Sequence, residues 1–334
     1  MEFAYFVGVD VSKNELDLAV YNDKKLLSHR EIANNQGEIN QFIKQLKKLE
    51  GFDLSNTLFC MEHTGIYNNP LLMYLHKKKG NIWLEPASQI KSSLGNIRGK
   101  SDKIDAIRIG EYAYKNREDA RLWKPKRKEI NKLAELTTLR SRLIVIKKML
   151  TTPVKELEGF VEKSSATQYK KLCQRSLNSI EADIEKIENG ISEIIRNDQE
   201  LSRLFGLITS VQGIGKETAV QVIITTNEFK NINDPKKFAC YSGVAPFTKE
   251  SGLFKGKARV SHMANKKMKT LLHMAALVAI VYNNDLKAYY ERKVMEGKNK
   301  MSVINAVRNK LIHRIFACVN QNRKYEKKYM TVLV

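Results

Sequence analysis

The chain has 334 residues, of which 58 are Lys or Arg and 36 are Asp or Glu, so its formal net charge is +22. A hydrophobic fraction of 43%, with 17 Gly and 6 Pro, excludes wholesale disorder and the collagen-like and low-complexity classes. The length predicts about two domains, and the charge surplus indicates a polyanionic partner, for which nucleic acid is the default.

Neither a membrane span nor a signal peptide is evident in the sequence. The longest nearly uninterrupted apolar stretch, Leu271 to Val281, has about half the length that a span requires, and no basic region precedes the apolar amino terminus. The cysteines are far apart in the sequence and form no metal-type pair, which is typical of a reduced protein. We therefore expect a cytoplasmic protein without a membrane partner. The four cysteines are Cys60, Cys173, Cys240 and Cys318.

Residues 1–125 carry the pattern of an α/β domain. Three β-rich segments follow one another and then helix and strand alternate, which predicts a mixed sheet with helices on its faces. The predicted strands are Phe3 to Val11, Glu15 to Tyr21, Leu26 to Ile32, Thr57 to Met61 and Asn81 to Leu84. The predicted helices are Gln36 to Leu49 and Pro70 to Lys79.

Residues 126–205 repeat apolar side chains at spacings of three and four along two segments, which a break at Pro153 separates. So narrow a seam is typical of coiled coils and predicts an antiparallel coiled-coil arm or a dimer contact. Two ordinary amphipathic helices packed on a core are the alternative. The predicted seam consists of Leu136, Leu139, Leu143, Ile146 and Leu150, followed by Leu177, Ile180, Ile184, Ile187, Ile191 and Ile194.

Residues 206–325 predict a second, mostly helical domain, which a basic tail follows at residues 326–334. Near its start, Gly213, Gly215 and Lys216 form a Gly-x-Gly turn before a helix predicted from Glu217 to Thr225. This pattern is that of a helix-hairpin-helix, whose glycines let backbone N–H groups approach a phosphate. A plain turn between two helices is the alternative.

Positive charge is concentrated in this second half. Residues 249–273 contain seven Lys or Arg against one acid, and residues 287–334 contain twelve against three. A solvated face could hold part of this charge, but the density favours a surface for a phosphate backbone. The predicted contacts are Lys255, Lys257, Arg259, Lys266, Lys267 and Lys269.

Four carboxylates stand out in the first domain. Asp10 and Glu62 each end an apolar strand, and Asp102 and Asp105 are three residues apart, on one face of a helix. Each one alone has a structural explanation as a cap. Together they supply the oxygen ligands that Mg²⁺ prefers, with Mn²⁺ as a substitute, and two such ions support in-line phosphoryl displacement. The predicted phosphate contacts beside them are Lys13, Arg98, Lys100 and Lys103.

This arrangement of strand-end and helical acids resembles the ribonuclease-H-like fold, in its Holliday-junction-resolvase-like (RuvC-like) branch. In the second domain, Ser251 precedes Gly252 in a segment that has no histidine at the spacing of a Ser-His-Asp hydrolase. Out of context a Ser-Gly pair before a basic stretch is simply a loop.

Five motifs in order resemble the DEDD-type transposases of insertion-sequence family one-ten, relatives of the pilin-gene invertases. None is decisive alone, but the ordered set is specific and spans nearly the whole chain. The motifs are Val7-Gly8-Val9-Asp10-Val11-Ser12-Lys13, Met61-Glu62-His63-Thr64-Gly65-Ile66-Tyr67, Lys100-Ser101-Asp102-Lys103-Ile104-Asp105-Ala106, Ser210-Val211-Gln212-Gly213-Ile214-Gly215, and Tyr241-Ser242-Gly243-Val244-Ala245-Pro246 with Ser251-Gly252.

The resemblance implies a mechanism. In that family four acids bind Mg²⁺ and a serine attacks the DNA phosphate to give a covalent phosphoserine; by position these are Asp10, Glu62, Asp102, Asp105 and Ser251. Ser242 is a second candidate nucleophile. The family also uses a structured bridge RNA whose loops pair with donor and target DNA, so that base pairing reads the sequence.

The resemblance further implies a bacterial homo-oligomer, a dimer or tetramer, with a composite active site, associated with the nucleoid when it acts. Two alternatives remain. A metal-dependent, structure-specific nuclease would hydrolyse its substrate with water and form no covalent link to DNA. A basic scaffold would bind nucleic acid without reacting.

Overall fold

The computed structural model describes residues 2–93, 99, 101–157, 160, 162–248, 250–252, 254–256 and 258–326, and for Lys163, Ala166, Phe254 and Lys255 it describes the backbone. The chain divides into two compact units, residues 1–125 and 126–334. No helix in the described ranges is both long enough and apolar enough to cross a membrane.

The first unit is built on a five-stranded mixed sheet. Its strands in chain order are β1 (Tyr5–Val11), β2 (Glu15–Asn22), β3 (Lys25–Ala33), β4 (Thr57–Glu62) and β5 (Asn81–Glu85). The spatial order is β3-β2-β1-β4-β5, in which the first three strands are antiparallel neighbours and β4 and β5 run parallel to β1. This is the predicted ribonuclease-H-like sheet, and the fold prediction is confirmed.

Helices cover both faces of this sheet. Helices α1 (Gln36–Leu46) and α2 (Asn69–Lys77) share one core with the odd-numbered residues of β1, such as Val7 and Val9. On the other face α3 (Ala87–Ser93) and α4 (Asp102–Lys115) pack on Phe6 and Cys60. Alternation along β1 thus directs its even-numbered residues toward α4.

The second unit begins with a pair of long helices, α5 (Lys128–Leu157) and α6 (Lys163–Asn197). Arg140 contacts Glu188 and Lys147 contacts Glu181, each at 2.7 Å. Because the partner number falls as the first number rises, the two helices are antiparallel. The inner ends of both helices join the core of the unit through residues such as Leu133 and Ile187.

The predicted break at Pro153 is wrong, since α5 continues through it to Leu157. A proline removes one N–H donor and crowds the turn before it. Here it lies in the last turns of the helix, so few backbone bonds depend on it, and the next residue, Val154, is buried.

The predicted seam on α5 is also partly wrong. Leu139 and Ile146 are 45% and 44% exposed. Arg140 and Lys147, one position later, make the contacts to α6 instead. The side of α5 that contacts α6 therefore carries both apolar and basic side chains. An apolar stripe remains exposed on the side of α5 that faces away from α6. The described part of that stripe is Leu139, Val145, Ile146 and Met149.

The rest of the second unit is mostly helical, as predicted. Its helices are α7 (Gln199–Thr209), α8 (Lys216–Thr226), α9 (Pro235–Tyr241), α10 (Lys266–Tyr282), α11 (Asn284–Met295) and α12 (Lys300–Asn320). Between α9 and α10, β6 (Pro246–Phe247) pairs with β9 (Arg259–Val260), and β7 (Glu250–Ser251) pairs with β8 (Phe254–Lys255). These strands form two small antiparallel ladders.

Candidate functional site

Asp10 and Glu62 lie at the ends of the central neighbours β1 and β4. The two strands are parallel, and Val9 is paired with Met61, so the next residues along each strand fall side by side. Both side chains have the parity that faces α4 rather than α1 and α2. Asp10 and Glu62 therefore lie side by side at this edge of the sheet.

Helix α4 brings two further acids toward this edge. Ser101 caps its start and accepts a hydrogen bond from the Ile104 nitrogen at 3.2 Å. Asp102 and Asp105 both lie in the first turn, where the positive end of the helix dipole stabilises negative charge. Asp105 also accepts a hydrogen bond from Arg108 at 3.1 Å.

The pKa of Asp10 shows that these acids lie close enough to interact. It is raised to about 6, chiefly by partial burial and in addition by the negative charges of Asp102, Asp105 and Glu62. The Val11 N–H, 3.0 Å from an Asp10 oxygen, opposes the shift. The structure thus brings all four predicted acids into one electrostatic cluster, in which ionised Asp10 is disfavoured.

A divalent cation fits this cluster by chemistry and by charge. Carboxylate oxygens are the ligands that Mg²⁺ and Mn²⁺ prefer, and a cation would relieve the repulsion that raises the pKa of Asp10. Within the described ranges, however, no group of three or more His, Cys, Asp or Glu is arranged to hold a metal ion. The protein alone therefore supplies the donors and the charge but not a closed set of ligands.

The sequence analysis did not single out two other acids on this face of the sheet. Glu85 ends β5 and is the register partner of Glu62, and its carboxylate accepts a hydrogen bond from the Trp83 indole at 2.6 Å. Asp17 is the register partner of Asp10 and contacts His29 at 2.7 Å. Glu85 shows the same signal as Glu62, an acid directly after an apolar strand, and could have been found by it.

The two candidate serines differ in their surroundings. Ser251 is exposed on β7, where its register partner is Phe254. Ser242 is completely buried at the end of α9, and its hydroxyl has no hydrogen-bond partner among the described residues. Of the two candidates, Ser251 is therefore the one that is exposed to solvent.

The Gly-x-Gly turn leads into α8 as expected, but its two glycines do different things. Gly213 has a φ of +99°, and a Cβ there would lie 2.7 Å from the Ala279 Cβ, so this glycine allows the turn to pack on α10. Gly215 is the exposed N-cap of α8 and supplies no side-chain cap, and Lys216 follows it. The N-terminus of α8 therefore lies at Gly215, whereas Gly213 serves the packing of the turn.

A cavity of about 300 Å³ opens beside the start of α8. Arg140 lies in its wall and bridges Glu188 at 2.7 Å and Glu217 at 3.1 Å. Lys216 and Lys267 line the same cavity, and partial burial lowers the pKa of Lys267. Lys267 thus faces an ion-pair network rather than open solvent.

The other predicted phosphate contacts divide by exposure. Lys13, Lys103, Arg259 and Lys266 are exposed, and Lys269 is half-buried. Three predicted contacts, Arg98, Lys100 and Lys257, lie outside the described residues, as does the side chain of Lys255.

Comparison with known families gives two matches along the chain. The transposase family model DEDD_Tnp_IS110 matches residues 7–156, which include all four acids. The family model described as Transposase IS116/IS110/IS902 family matches residues 206–291, which include both serines. Together the two matches cover more than half of the chain.

Individual relatives agree with these matches. The pilin gene-inverting protein of Moraxella bovis is 26% identical over 329 residues, 97% of this chain and 98% of its own. The transposase for insertion sequence element IS1533 of Leptospira borgpetersenii is 25% identical over 260 residues, 70% of this chain and 73% of its own.

Among solved structures, T. thermophilus RuvC in complex with Holliday junction substrate aligns with a TM-score of 0.28 and 12% identity, over 36% of this chain and 99% of that chain. The family resemblance predicted from the five motifs is confirmed by the family matches. The chain belongs to the IS116/IS110/IS902 family of transposases, which are DNA-processing enzymes.

Proposed function

We propose that the chain is the transposase of an insertion sequence, which cuts and rejoins DNA through a covalent link to Ser251. Asp10, Glu62, Asp102 and Asp105 would hold the divalent cation, Mg²⁺ or Mn²⁺. The observation that carries the proposal is the convergence of the four acids: Asp10 and Glu62 end neighbouring parallel strands, and the first-turn acids of α4 lie near enough to raise the pKa of Asp10. A carboxyl group whose ionisation is disfavoured by neighbouring acids is suited to a cation and, through it, to a phosphate.

The chemistry balances without an external energy source. The Ser251 oxygen attacks the phosphorus of a phosphodiester, the serine proton leaves to water, and one deoxyribose oxygen departs and takes up a proton. The phosphate is then an ester of serine. A DNA hydroxyl of the new partner strand attacks its phosphorus and loses a proton, and the departing Ser251 oxygen takes up a proton. A bound divalent cation would neutralise charge on the phosphate oxygens.

The partners that we propose are donor DNA, target DNA and a structured guide RNA. The net charge of +22 supports nucleic acid as the partner, because neutralised phosphates release counterions. If base pairing with the RNA reads the sequence, the protein needs contacts only to backbones. We place the reaction in the bacterial cytoplasm, on the nucleoid.

We further propose a homo-oligomer, a dimer or tetramer, that forms through the outer side of α5. Leu139, Val145, Ile146 and Met149 are exposed there, although the helix already has a partner in α6. A second copy would cover this stripe. Sedimentation of the Val145→Glu and Met149→Glu variants tests the proposal, and an unchanged oligomeric state would contradict it.

The function is tested with the full-length protein, a plasmid that carries its reading frame with the native flanks, and RNA transcribed from those flanks. Ser251→Ala should abolish strand exchange and the DNA-linked protein band. Ser242→Ala is the matched control and should retain both. Cleavage that persists in Ser251→Ala would instead indicate a nuclease that uses water. If Asp10→Asn and Glu62→Gln retain every activity, the protein is a non-catalytic scaffold.

A further inference from the structure

Arg308 is a buried cation that has no counterion among the described residues. It lies on α12, is 6% exposed, and forms no ion pair with any described carboxylate. Neither α10 nor α12 contains a single Asp or Glu. Burying a charge without an opposite charge is costly, so its position calls for a reason beyond packing.

The partners of Arg308 are neutral. Its Nη2 lies 2.5 Å from Nδ1 of His273 on α10, and its Nη1 donates a long hydrogen bond, 3.4 Å, to the Asn305 side chain. Its Nε has no partner among the described residues. Within this network the guanidinium acts only as a donor, because it has no acceptor atom.

This contact fixes the tautomer of His273. Since Arg308 can only donate, Nδ1 of His273 must carry the lone pair, and the ring proton must lie on Nε2. Burial and the charge of Arg308 both lower the pKa of His273, so the ring stays neutral. His273 is therefore a permanent hydrogen-bond donor at Nε2, and it cannot act there as a base.

The same network reaches the segment that carries Ser251. Asn305 donates a hydrogen bond from Nδ2 to the Val244 oxygen at 2.7 Å. Gly243 adopts a φ of +63°, and a Cβ there would lie 3.5 Å from Cδ of Lys269. Lys269 is four residues before His273, on the same face of α10. Ser242, with its unpartnered hydroxyl, lies in the same turn.

We propose that Lys269 and His273 bind a phosphate oxygen of DNA beside the turn at residues 242–244, which precedes Ser251 in the chain. In this proposal Arg308 is the positioning residue that holds His273 as the donor. The proposal rests on the proposed function for its substrate. The ammonium of Lys269 and the Nε2–H of His273 lie on adjacent turns of α10, and two such donors suit an anionic oxygen. Neither α10 nor α12 contains an acid that would compete for these donors.

Binding is measured by fluorescence anisotropy, with a labelled DNA duplex taken from the native flank and the full-length protein. His273→Leu should weaken binding about tenfold, because one hydrogen bond to a charged oxygen is lost. His273→Gln, which can keep a donor near Nε2, should recover most of the affinity. His313→Leu replaces an exposed histidine of α12 and is the matched control.

The tautomer gives a second readout that is independent of strand exchange. Nitrogen NMR of histidine-labelled protein, with His273 assigned from the His273→Gln spectrum, should show the proton on Nε2 at neutral pH. In Arg308→Lys, provided that its melting temperature is retained, this preference should weaken. A proton on Nδ1 in the parent protein, or equal DNA affinity of His273→Leu and parent, would overturn the proposal.

Two further comparisons separate the possible failures. If His273→Leu weakens binding of the guide RNA and leaves DNA binding unchanged, the phosphate is not that of DNA and the proposal is wrong. If Ser251→Ala retains strand exchange while His273→Leu weakens DNA binding, the proposed function fails and the phosphate site stands.

Discussion

Gly8 of β1 and Gly110 of α4 bring a strand and a helix into backbone contact. A Cβ on Gly8 would lie 2.1 Å from the Gly110 nitrogen and 2.3 Å from the Ala106 oxygen, distances that real Cβ atoms do not adopt. Asp10 is two residues along β1 from this contact, and Asp105 precedes Ala106 on α4. The spacing between the acids therefore depends on the absence of a side chain at residue 8.

Gly8→Ala should lower the free energy of unfolding by about 3 kcal/mol, because the new methyl group meets backbone atoms that cannot move aside alone. It should also weaken divalent cation binding, since displacement of α4 carries Asp102 and Asp105 away from Asp10. Urea denaturation measures the first effect, and calorimetric titration with Mn²⁺ measures the second.

Gly206→Ala is the control for this substitution. Gly206 lies within α7, and a Cβ there meets nothing within 4 Å. Alanine is the better helix former by roughly 1 kcal/mol, so this variant should be slightly more stable. Equal stability of Gly8→Ala and the parent protein would show that the close contact does not constrain the site.

The pKa of Asp10 predicts how stability changes with pH. It is about 6 in the folded protein and 3.8 in the unfolded chain, so the folded state holds the proton more tightly between these values. The contribution of this group to the free energy of unfolding is therefore greatest below pH 3.8 and is lost as the pH rises to 6. After allowance for screening, the loss is on the order of 2 kcal/mol.

The comparison with Asp10→Asn isolates this contribution from those of other groups. We expect the stability difference between parent and variant to favour the variant increasingly from pH 4 to pH 6.5 in the absence of divalent cations. Millimolar Mg²⁺ should reduce that advantage, because a cation favours ionised Asp10. Chemical denaturation at several pH values measures the stability difference between the parent protein and Asp10→Asn. A difference that does not vary with pH would refute the raised pKa of Asp10.

Local sequence signals predicted the elements that carry the acids. The apolar strands that end in Asp10 and Glu62, and the i, i+3 spacing of Asp102 and Asp105, are visible in the sequence and are present in the structure. The sheet order follows from an alternation of helix and strand after three β segments. The spacing of apolar and acidic residues along the chain was sufficient to predict these strands and the positions of the acids.

What the sequence did not predict depends on contacts between distant segments. Gly8 looked like part of a motif, and only the packing of α4 shows why no side chain fits there. The seam of α5 shifted from Leu139 to Arg140, because spacings of three and four leave the rotation of a helix open by one position. The His273–Arg308 contact joins residues 35 positions apart and had no local signal.

Lys266 is expected to contact a DNA phosphate, since it is exposed at the first position of α10. Lys266→Gln should weaken DNA binding at low salt and reduce the slope of log K against log salt by about 0.9, the value for one phosphate contact. Lys267→Gln is the neighbouring control. Lys267 faces Arg140 and Glu217 inside the cavity, so its slope should equal that of the parent. Equal slopes for all three proteins would remove Lys266 from the interface.

Arg140 should contribute more to stability than the more exposed ion pair between Lys147 of α5 and Glu181 of α6. Its side chain is 21% exposed and joins Glu188 of α6 to Glu217, at the start of α8. Arg140→Met leaves both carboxylates without this cation in a partly enclosed cavity, and we expect a loss of about 2 kcal/mol. Lys147→Met removes a more exposed pair with Glu181 and should cost at most about 0.5 kcal/mol. If urea denaturation gives the two variants equal stability, Arg140 is an ordinary surface residue and does not tie α5 and α6 to α8.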